Sequence, residues 1–354
     1  MLRPLLLSPD NFTPAARTPW GGRRIVGRYK AGLGLRAELA SAAIGESWEL
    51  SLGPELPSRT DAGTLLAEVI AEDPTGFLGD EARLGSSALL VKWLDAADEL
   101  SVQIHPAVDD PKLAPDETGK PESWYVLDAE PGAGIYLGLR PEVSHAQMRS
   151  VLDAHGDVSK LLERVPVTAG DFFVLEPGMP HAIGRGVTLL EPQYVTPGKR
   201  GVTLRYWDWN RRYDAAGKLD PNGSPRALHV DRALEVTDWV RAGDPAWLAE
   251  QRCSLGLPQL GAAATLDPIC GPDGGDQVRS RYLRVARLAG HGILTLPDHQ
   301  VLRALTVVSG SVRLHGEFGE LLVVAGRSAA IPAGLTHVRC QLDAAHALLC
   351  GAVA

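Results

Sequence analysis

Short stretches of alternating polar and apolar residues, separated by glycine and proline, run through most of this chain and restrict its fold. Successive side chains of a β-strand point to opposite faces, so such stretches are typical of strands with one buried face. Glycine and proline favour the turns between strands, and the 354 residues include 38 glycines and 26 prolines. The pattern predicts a mainly β protein in which helices are a minority.

Strands are predicted where the alternation is clearest and turn residues flank it. They cover residues 47–51, 89–94, 101–105, 123–127, 134–138, 171–175, 187–191 and 203–207. Helical spacing of apolar residues occurs at 64–71 and in two longer segments, about 141–164 and about 228–250. Pro141 is predicted to lie in the first turn of the earlier long segment, a position that suits proline.

A stretch at 266–280 is predicted to be a linker because it is dense in glycine and proline and poor in apolar residues. The chain is too long for one small domain. We therefore expect a first domain at 1–265, which carries the helical segments, and a C-terminal domain at 281–354.

Composition and charge exclude several functional classes. The net charge of −8 argues against nucleic-acid binding, which favours a basic excess. No apolar run approaches the ~18 residues of a membrane span, and the one near the N-terminus is too short for a signal peptide. The four cysteines lack CxxC spacing and fit a reducing compartment. We expect a cytoplasmic monomer or small homo-oligomer without nucleic-acid or membrane partners.

One predicted strand carries an unusual polar face. Ser101, Gln103 and His105 alternate with apolar residues, so their side chains share one face. The preceding stretch, LLVKWL, is strongly apolar, and the surroundings are therefore expected to be core. A buried amide or imidazole needs a partner, because an unpaired polar group in the core is costly.

Two further residues complete a candidate metal site. Glu122 lies at the start of the next predicted strand, and His181 follows a turn rich in glycine and proline. With Gln103 and His105 they offer an amide oxygen, two imidazoles and a carboxylate, which suits a divalent first-row metal, zinc above all. Each residue alone is more often a hydrogen-bonded core or surface group than a ligand, so the prediction depends on the set.

The order of these residues resembles the cupin pattern, in which a small antiparallel β-barrel carries HxH and a glutamate, then G-x5-PxGxxH. Gln103 replaces the first histidine, Glu176 stands where the second motif has proline, and Pro177 comes one place late. A longer signature is similar to type I mannose-6-phosphate isomerases and runs in order from about residue 18 to 212. Its parts are WGG, GESWELS, KWLDAADELSVQIHP, GKPESWYVLDAEPGAGIYLGL and the PHAIG turn.

The resemblance implies a cupin fold, that is, an antiparallel β-barrel or jelly roll with a small helical segment, followed by a second, C-terminal cupin-like barrel. It implies one Zn²⁺ per chain, bound by Gln103, His105, Glu122 and His181. The small-molecule partner would be a sugar phosphate. The residues at the family's other functional positions are, for catalysis, Arg205, Glu191 and Lys120 and, for the substrate phosphate, Lys92, Ser101 and Arg211.

The implied activity is the interconversion of mannose 6-phosphate and fructose 6-phosphate by proton transfer between C1 and C2 through a cis-enediol. The base is open between Glu191, Lys120 and a metal-bound water. Glu191 also fits a salt-bridged strand carboxylate, Lys120 a solvated lysine and Arg205 a surface strand residue. Two other functions stay open: a non-catalytic sugar-phosphate-binding cupin and a cupin metalloenzyme for another sugar phosphate. The complete metal set and Arg205 favour the isomerase.

The C-terminal domain repeats only the second cupin motif. The stretch from Gly326 to His337 fits G-x5-PxGxxH without a mismatch, whereas Arg303 stands where the glutamate of the first motif belongs. Of the histidine pair, only His299 remains. A metal at His299 and His337 would lack a neutralising carboxylate, so we expect a structural barrel without metal.

Overall fold

The structure is a computed structural model that describes residues 2–273 and 276–353. Its strands are β1 (Leu5–Leu6), β2 (Glu46–Leu50), β3 (Leu89–Asp95), β4 (Val102–Ile104), β5 (Glu117–Thr118), β6 (Glu122–Ala129), β7 (Gly134–Leu139), β8 (Leu162–Pro166), β9 (Asp171–Leu175), β10 (His181–Ile183), β11 (Val187–Tyr194), β12 (Arg200–Gly201), β13 (Leu204–Trp207), β14 (Arg252–Ser254), β15 (Thr265–Gly271), β16 (Val278–Arg279), β17 (Leu283–Thr295), β18 (Arg303–Gly316), β19 (Gly319–Val324), β20 (Ser328–Ile331) and β21 (Arg339–Ala352). The α-helices are α1 (Ala37–Ala40), α2 (Leu66–Glu72), α3 (Pro74–Leu78), α4 (His145–Asp153), α5 (Val230–Val236) and α6 (Pro245–Glu250). Short 3-10 helices cover Ala15–Arg17, Gly79–Leu84 and Val158–Leu161, and a π-helix covers Ile25–Tyr29.

Two antiparallel sheets enclose a core in the N-terminal part of the chain. One has five strands in the order β13-β4-β10-β7-β8, and the other has six in the order β14-β9-β6-β11-β3-β2. Ile135 and Ile183 of the first sheet and Trp124 and Leu189 of the second belong to one buried cluster. Because strand side chains alternate, the other face of the six-stranded sheet carries a separate apolar set that includes Phe172.

A third sheet comes from the C-terminal part of the chain. Its strands follow the order β1-β20-β18-β21-β17-β15-β16, with β19 paired to β18. Leu305 and Leu349 belong to a core within this sheet. Val285 and Leu348 join the cluster that contains Phe172 of the six-stranded sheet, so the two parts of the chain share a core. The predicted mainly β fold built from antiparallel sheets is confirmed.

All eight predicted strand segments contain a strand, and residues 171–175 coincide with β9. The predicted helix at 141–164 is shorter than expected. Helix α4 begins after Ser144, whose side chain accepts from the backbone of Gln147, so the placement of Pro141 in the first turn is wrong. Residues 162–164 belong to β8, which pairs with β7, because this pairing outweighs the local helical pattern. The segment predicted at about 228–250 contains two short helices, α5 and α6.

The division of the chain into domains stays a prediction, but regular structure occurs within the predicted linker. Strand β15 covers much of its first half, and a bulge between Pro268 and Cys270 accommodates the proline there. Gly274 and Gly275, also in the linker, lie outside the described residues. At the other end of the chain, Leu5 pairs with Ala330, so the N-terminal strand completes the C-terminal sheet. Among the described residues, no helix is both long and apolar enough to cross a membrane.

Candidate active site and metal centre

The four predicted metal ligands converge where the five- and six-stranded sheets face each other. Gln103 lies on β4, His105 follows it immediately, and His181 is the first residue of β10. Backbone pairing sets His181 opposite Gln103 in neighbouring strands of the five-stranded sheet. Glu122, the first residue of β6, comes from the six-stranded sheet. The histidines and Glu122 are buried, with 1–3% of each residue exposed.

The distances within this cluster are short. His105 Nε2 lies 3.1 Å from Glu122 Oε1, and His181 Nε2 lies 3.7 Å from Glu122 Oε2. The side-chain amide nitrogen of Gln103 lies 3.4 Å from His181 Nε2. One ligand atom each from His105, Glu122 and His181 lies within 4.8 Å of the others, the spacing needed to hold a metal ion.

Backbone contacts orient both imidazoles towards the centre of the cluster. His105 Nδ1 donates to the carbonyl of Val202 at 2.9 Å, and His181 Nδ1 donates to that of Met179 at 2.8 Å. Each Nε2 therefore keeps its lone pair, as a metal ligand must. His105 Nε2 and Glu122 Oε2 are buried without a hydrogen-bond partner among the described residues.

The departure of the turn from the cupin motif does not displace His181. Gly178 adopts a φ of 82° in this turn, a conformation that suits glycine, and its N–H donates to the carbonyl of His105 at 3.0 Å. Glu176 lies before it, and burial raises the pKa of its carboxyl against the opposing effect of Arg281 and Arg241. The turn therefore ties the two histidine-bearing segments together although proline comes one place late.

Glu122 is held as a carboxylate by its neighbours. Lys120 Nζ lies 2.8 Å from Glu122 Oε1, and the same oxygen accepts from Gln193 Nε2 at 2.6 Å. Burial raises the pKa of Glu122, but the surrounding groups, above all the charge of Lys120, outweigh it and hold the pKa well below its usual range. Burial lowers the pKa of His181 to about 3, with a further contribution from His105, so this imidazole is neutral.

Glu191 adjoins the cluster on β11 and is buried. One of its oxygens accepts from Trp124 Nε1 at 2.9 Å, and the other accepts from Gln193 Nε2 at 2.7 Å. Lys92 Nζ lies 3.9 Å from the second oxygen. Burial raises the pKa of Glu191 to about 8, and the charge of Glu122 acts in the same direction. For Lys120, burial lowers the pKa, but Glu122 and Glu191 outweigh it and raise the value.

The other predicted residues lie in three places. Lys92 sits over the ring of Trp48, with its Nζ 4.3 Å from the ring centre and 4.0 Å from Glu46 Oε2. Ser101 accepts from Arg205 Nε at 3.0 Å, which brings together a predicted phosphate residue and the predicted catalytic arginine. The Arg205 side chain also donates to a backbone carbonyl, that of Ala227, at 3.0 Å.

Arg211 is held by acidic groups of its own neighbourhood. Its guanidinium pairs with Asp98 at 2.8 Å and with Asp208 at 2.7 Å, and it donates to the carbonyl of Glu99 at 2.8 Å. Among the described residues, none of the hydrogen bonds or ion pairs of Arg211 reaches the metal cluster. Its predicted contact with a substrate phosphate stays a prediction.

Gln193 is the main site residue that sequence reasoning missed. It is fully buried, and its amide group donates to Glu122 and to Glu191, so it links a candidate ligand to a candidate base. The signal that could have found it is its spacing. Gln193 lies two residues after Glu191 on the same strand, and alternate residues of a strand share a face.

Comparison with known proteins identifies the fold. No family model matches the chain. The mannose 6-phosphate isomerase from Bacillus subtilis has a similar crystal structure, with a TM-score of 0.73, 22% identity and 99% coverage of both chains. A mannose 6-phosphate isomerase crystallised with zinc and yttrium is also similar, with a TM-score of 0.66, 16% identity and 98% coverage of both chains. At these identities the likeness establishes the fold alone, and it agrees with the cupin architecture that the resemblance implied.

Comparison of amino-acid sequences identifies the family as well as the fold. The mannose-6-phosphate isomerase from Streptococcus mutans is 33% identical to the chain over 286 residues. The match covers 78% of this chain and 83% of the relative, and it therefore includes the strands that carry the metal cluster. The chain belongs to the mannose-6-phosphate isomerase family.

Proposed function

We propose that this protein is a zinc-dependent aldose–ketose isomerase that interconverts mannose 6-phosphate and fructose 6-phosphate. The observation that carries the proposal is the buried set of His105, Glu122 and His181, whose ligand atoms lie within 4.8 Å of one another. Membership of the mannose-6-phosphate isomerase family supports the substrate. Fold alone would not, because cupin-like barrels support many chemistries.

The donor set fits zinc. His105 Nε2 and Glu122 Oε2 are buried and have no hydrogen-bond partner in the described part of the chain, and a metal ion would satisfy both. Gln103 completes the set when its amide oxygen turns inward, a half rotation about its last side-chain bond. With one carboxylate and three neutral ligands, one zinc ion per chain would retain a net positive charge. When bound, zinc would supply a Lewis acid for the negative charge that develops on the sugar oxygens.

The chain's own residues would move the proton between C1 and C2 through a cis-enediol. Glu191 and Lys120 are the proposed acid–base groups, and both lie against Glu122 or its hydrogen-bond partner Gln193. Lys120 is tied to Glu122 at 2.8 Å, which favours its charged, proton-donating form. Trp124 and Gln193 hold the two oxygens of Glu191 in fixed directions, which suits transfer at a defined carbon.

Arg205 would stabilise negative charge on the substrate or assist ring opening. Its hydrogen bonds to Ser101 and to the carbonyl of Ala227 fix the guanidinium plane and leave part of the fork free. We propose Lys92, Ser101 and Arg211 as the anchors of the substrate phosphate. Lys92 has carboxylates only at 3.9 and 4.0 Å, so its ammonium keeps donors for a ligand. Arg211 would exchange a carboxylate contact for the phosphate.

We propose that catalysis resides in residues 1–265 and that residues 281–354 form a non-catalytic barrel beyond a 266–280 connection. All ten proposed metal, catalytic and substrate residues lie in the first segment. In the second segment, the His337 side chain is 87% exposed and Arg303 is buried in place of a carboxylate, an arrangement unsuited to a cation.

A coupled assay for fructose 6-phosphate formed from mannose 6-phosphate tests the function. It is run on the purified protein, after treatment with a chelator and after zinc is restored. We expect activity to disappear with the chelator and to return with zinc. His105→Ala should abolish both zinc binding and turnover. Gln251→Met should affect neither, because the Gln251 amide donates to the carbonyl of Trp247 and to no member of the cluster. A zinc-loaded protein that binds sugar phosphate without turnover would refute the isomerase and favour the non-catalytic sugar-phosphate-binding cupin.

A further inference from the structure

A cavity of about 280 Å³ lies at one end of the C-terminal sheet and is lined by Arg303, His299 and Arg284. Its position parallels that of the metal cluster in the sequence pattern. Arg303 is the first residue of β18, as Glu122 is the first residue of β6. The exchange of glutamate for arginine at this place reverses the charge that a ligand would meet.

Arg303 is a buried cation that forms no ion pair with any described residue. Only 1% of the residue is exposed. Its guanidinium donates to three backbone carbonyls, at 2.7 Å to Pro297, 3.2 Å to Leu335 and 3.4 Å to Pro332. Within the part of the chain that the structure describes, its buried Nε has no hydrogen-bond partner, and no carboxylate oxygen lies within 4.0 Å of the side chain. A buried charge without a counter-charge is costly, so an anion in the adjoining cavity would stabilise it.

Among the described residues, the other charged groups around the cavity form no ion pair with this cation. Arg284 is paired with Asp273 at 2.5 Å, and the Asp273 side chain is 69% exposed, so this pair lies towards the mouth. Asp276 also lines the cavity and accepts from the backbone N–H of Asp273 at 3.1 Å. Asp298 acts on Arg303 from a greater distance, and it caps the backbone of His337 at 2.9 Å.

His299 supplies a second group for a ligand. It is half-buried and lines the same cavity as Arg303. Burial lowers its pKa, and Arg284 and Arg303 act in the same direction, so the ring is a neutral hydrogen-bond donor or acceptor at neutral pH. His337 takes no part, because its side chain points to solvent.

We propose that this cavity binds a small oxyanion, the phosphate or carboxylate group of a metabolite, against Arg303 and His299. The guanidinium supplies the fixed positive charge that a metal ion supplies in a cupin site. Arginine and imidazole N–H groups together suit oxyanion recognition. The cavity lies near the lower end of the ~300–1,000 Å³ of small-molecule sites, so the ligand is a compact one.

The test follows the ring signals of ¹³C-labelled histidines by NMR in the full-length, zinc-loaded protein. Inorganic phosphate, acetate and chloride are titrated separately at constant pH and matched ionic strength, and His299→Gln assigns the signal. We expect a saturable shift of the His299 signal with phosphate or acetate, and none with chloride. The more effective of the two anions identifies the ligand class.

Two variants locate the binding. Arg303→Gln keeps amide donors for the carbonyls but removes the charge, and it should weaken the anion at least about tenfold. Ala286→Leu fills the cavity without altering Arg303, so it serves if Arg303→Gln does not fold. The control Arg313→Gln removes a partly exposed arginine of the same strand and should change binding less than about twofold.

A His299 signal that follows only ionic strength in the wild-type protein would overturn the proposal. So would anion binding that survives both Arg303→Gln and Ala286→Leu. Neither result bears on the proposed isomerase activity, because the coupled assay reports on a separate site. Conversely, loss of turnover in the His105→Ala variant has no bearing on the shift of His299.

Discussion

Replacement of Gln193 by methionine should weaken zinc binding while the fold is retained. Methionine has nearly the volume of glutamine but no amide, so the change removes the two donated hydrogen bonds and preserves packing. These bonds measure 2.6 Å to Glu122 and 2.7 Å to Glu191, and Gln193 is fully buried. Their loss frees the carboxylate of Glu122 to rotate away from the ligand position.

The contact that remains at Glu122 limits how far zinc affinity should fall. Lys120 still donates to Glu122 at 2.8 Å, so the ligand keeps one of its two orienting contacts. Loss of an outer partner of a metal ligand typically weakens binding about 10- to 100-fold, or about 1.4–2.7 kcal/mol. We expect Gln193→Met to fall within this range. Turnover at saturating zinc should also fall, because Glu191 loses one of the two hydrogen bonds that orient its carboxyl group.

Competition with a chromophoric chelator measures the zinc dissociation constant of metal-stripped protein. The matched control is Gln251→Met, which removes a buried glutamine whose amide donates to the carbonyl of Trp247 at 3.2 Å. Urea unfolding of both metal-free variants shows whether the fold is intact. A zinc affinity within about twofold of the wild type, in a folded Gln193→Met protein, would refute the orienting role of Gln193.

Three further changes test other parts of the structure. His346 contacts the hydroxyl of Tyr125 at 3.0 Å, and burial, with Arg287, lowers its pKa to about 4. Below pH ~6.5 the unfolded chain therefore binds more protons at this residue than the folded one, and stability falls as the pH drops towards 4. The free energy of unfolding measured at pH ~7.5 and pH ~4.5 should drop by about 2.5 kcal/mol more in the wild type than in His346→Gln. Lys30→Met should cost about 3–5 kcal/mol in urea unfolding, because it leaves Glu49, 2.6 Å from the ammonium, buried without its counter-charge. Arg205→Gln should lower kcat on the order of 100-fold with unchanged zinc affinity, since a charged donor to the substrate is lost.

The outcomes that count against these expectations are equally specific. Equal pH dependence in the wild type and His346→Gln would show that the histidine protonates freely in the folded protein; His291→Gln, on the surface, serves as the control. A second change, Glu49→Gln, should recover much of the stability lost in Lys30→Met, because it removes the charge that lacks a partner. A double variant as unstable as Lys30→Met would contradict this explanation. For Arg205, a rise in KM with unchanged kcat would assign it to substrate binding only.

The sequence predicted the strands well because the signal for a strand is local. A two-residue alternation between turn residues is complete within about six positions, and 171–175 shows it clearly. The same alternation placed Gln103 and His105 on one face of the chain. Glu122 and His181 completed a set of donor atoms that suits zinc, and the resemblance to a family then implied all four residues as ligands.

Other features depend on partners distant in the chain, and only the tertiary structure decided them. Residues 162–164 have a helical pattern, yet they form a strand because β7 is available to pair with them. Leu5 joins a sheet more than 300 residues away, through its pairing with Ala330. Such pairing depends on which strand edges remain open once the sheets assemble.

The chemistry of the site shows the same contrast between residue type and residue environment. The sequence alone determined which ligands, bases and cations the chain possesses and the order in which they occur. The tertiary structure decided that Gln193 bridges Glu122 and Glu191, and that Arg211 faces Asp98 and Asp208. Burial and the distance to other charges set the state of a titratable group, and both arise only when segments remote in sequence pack together.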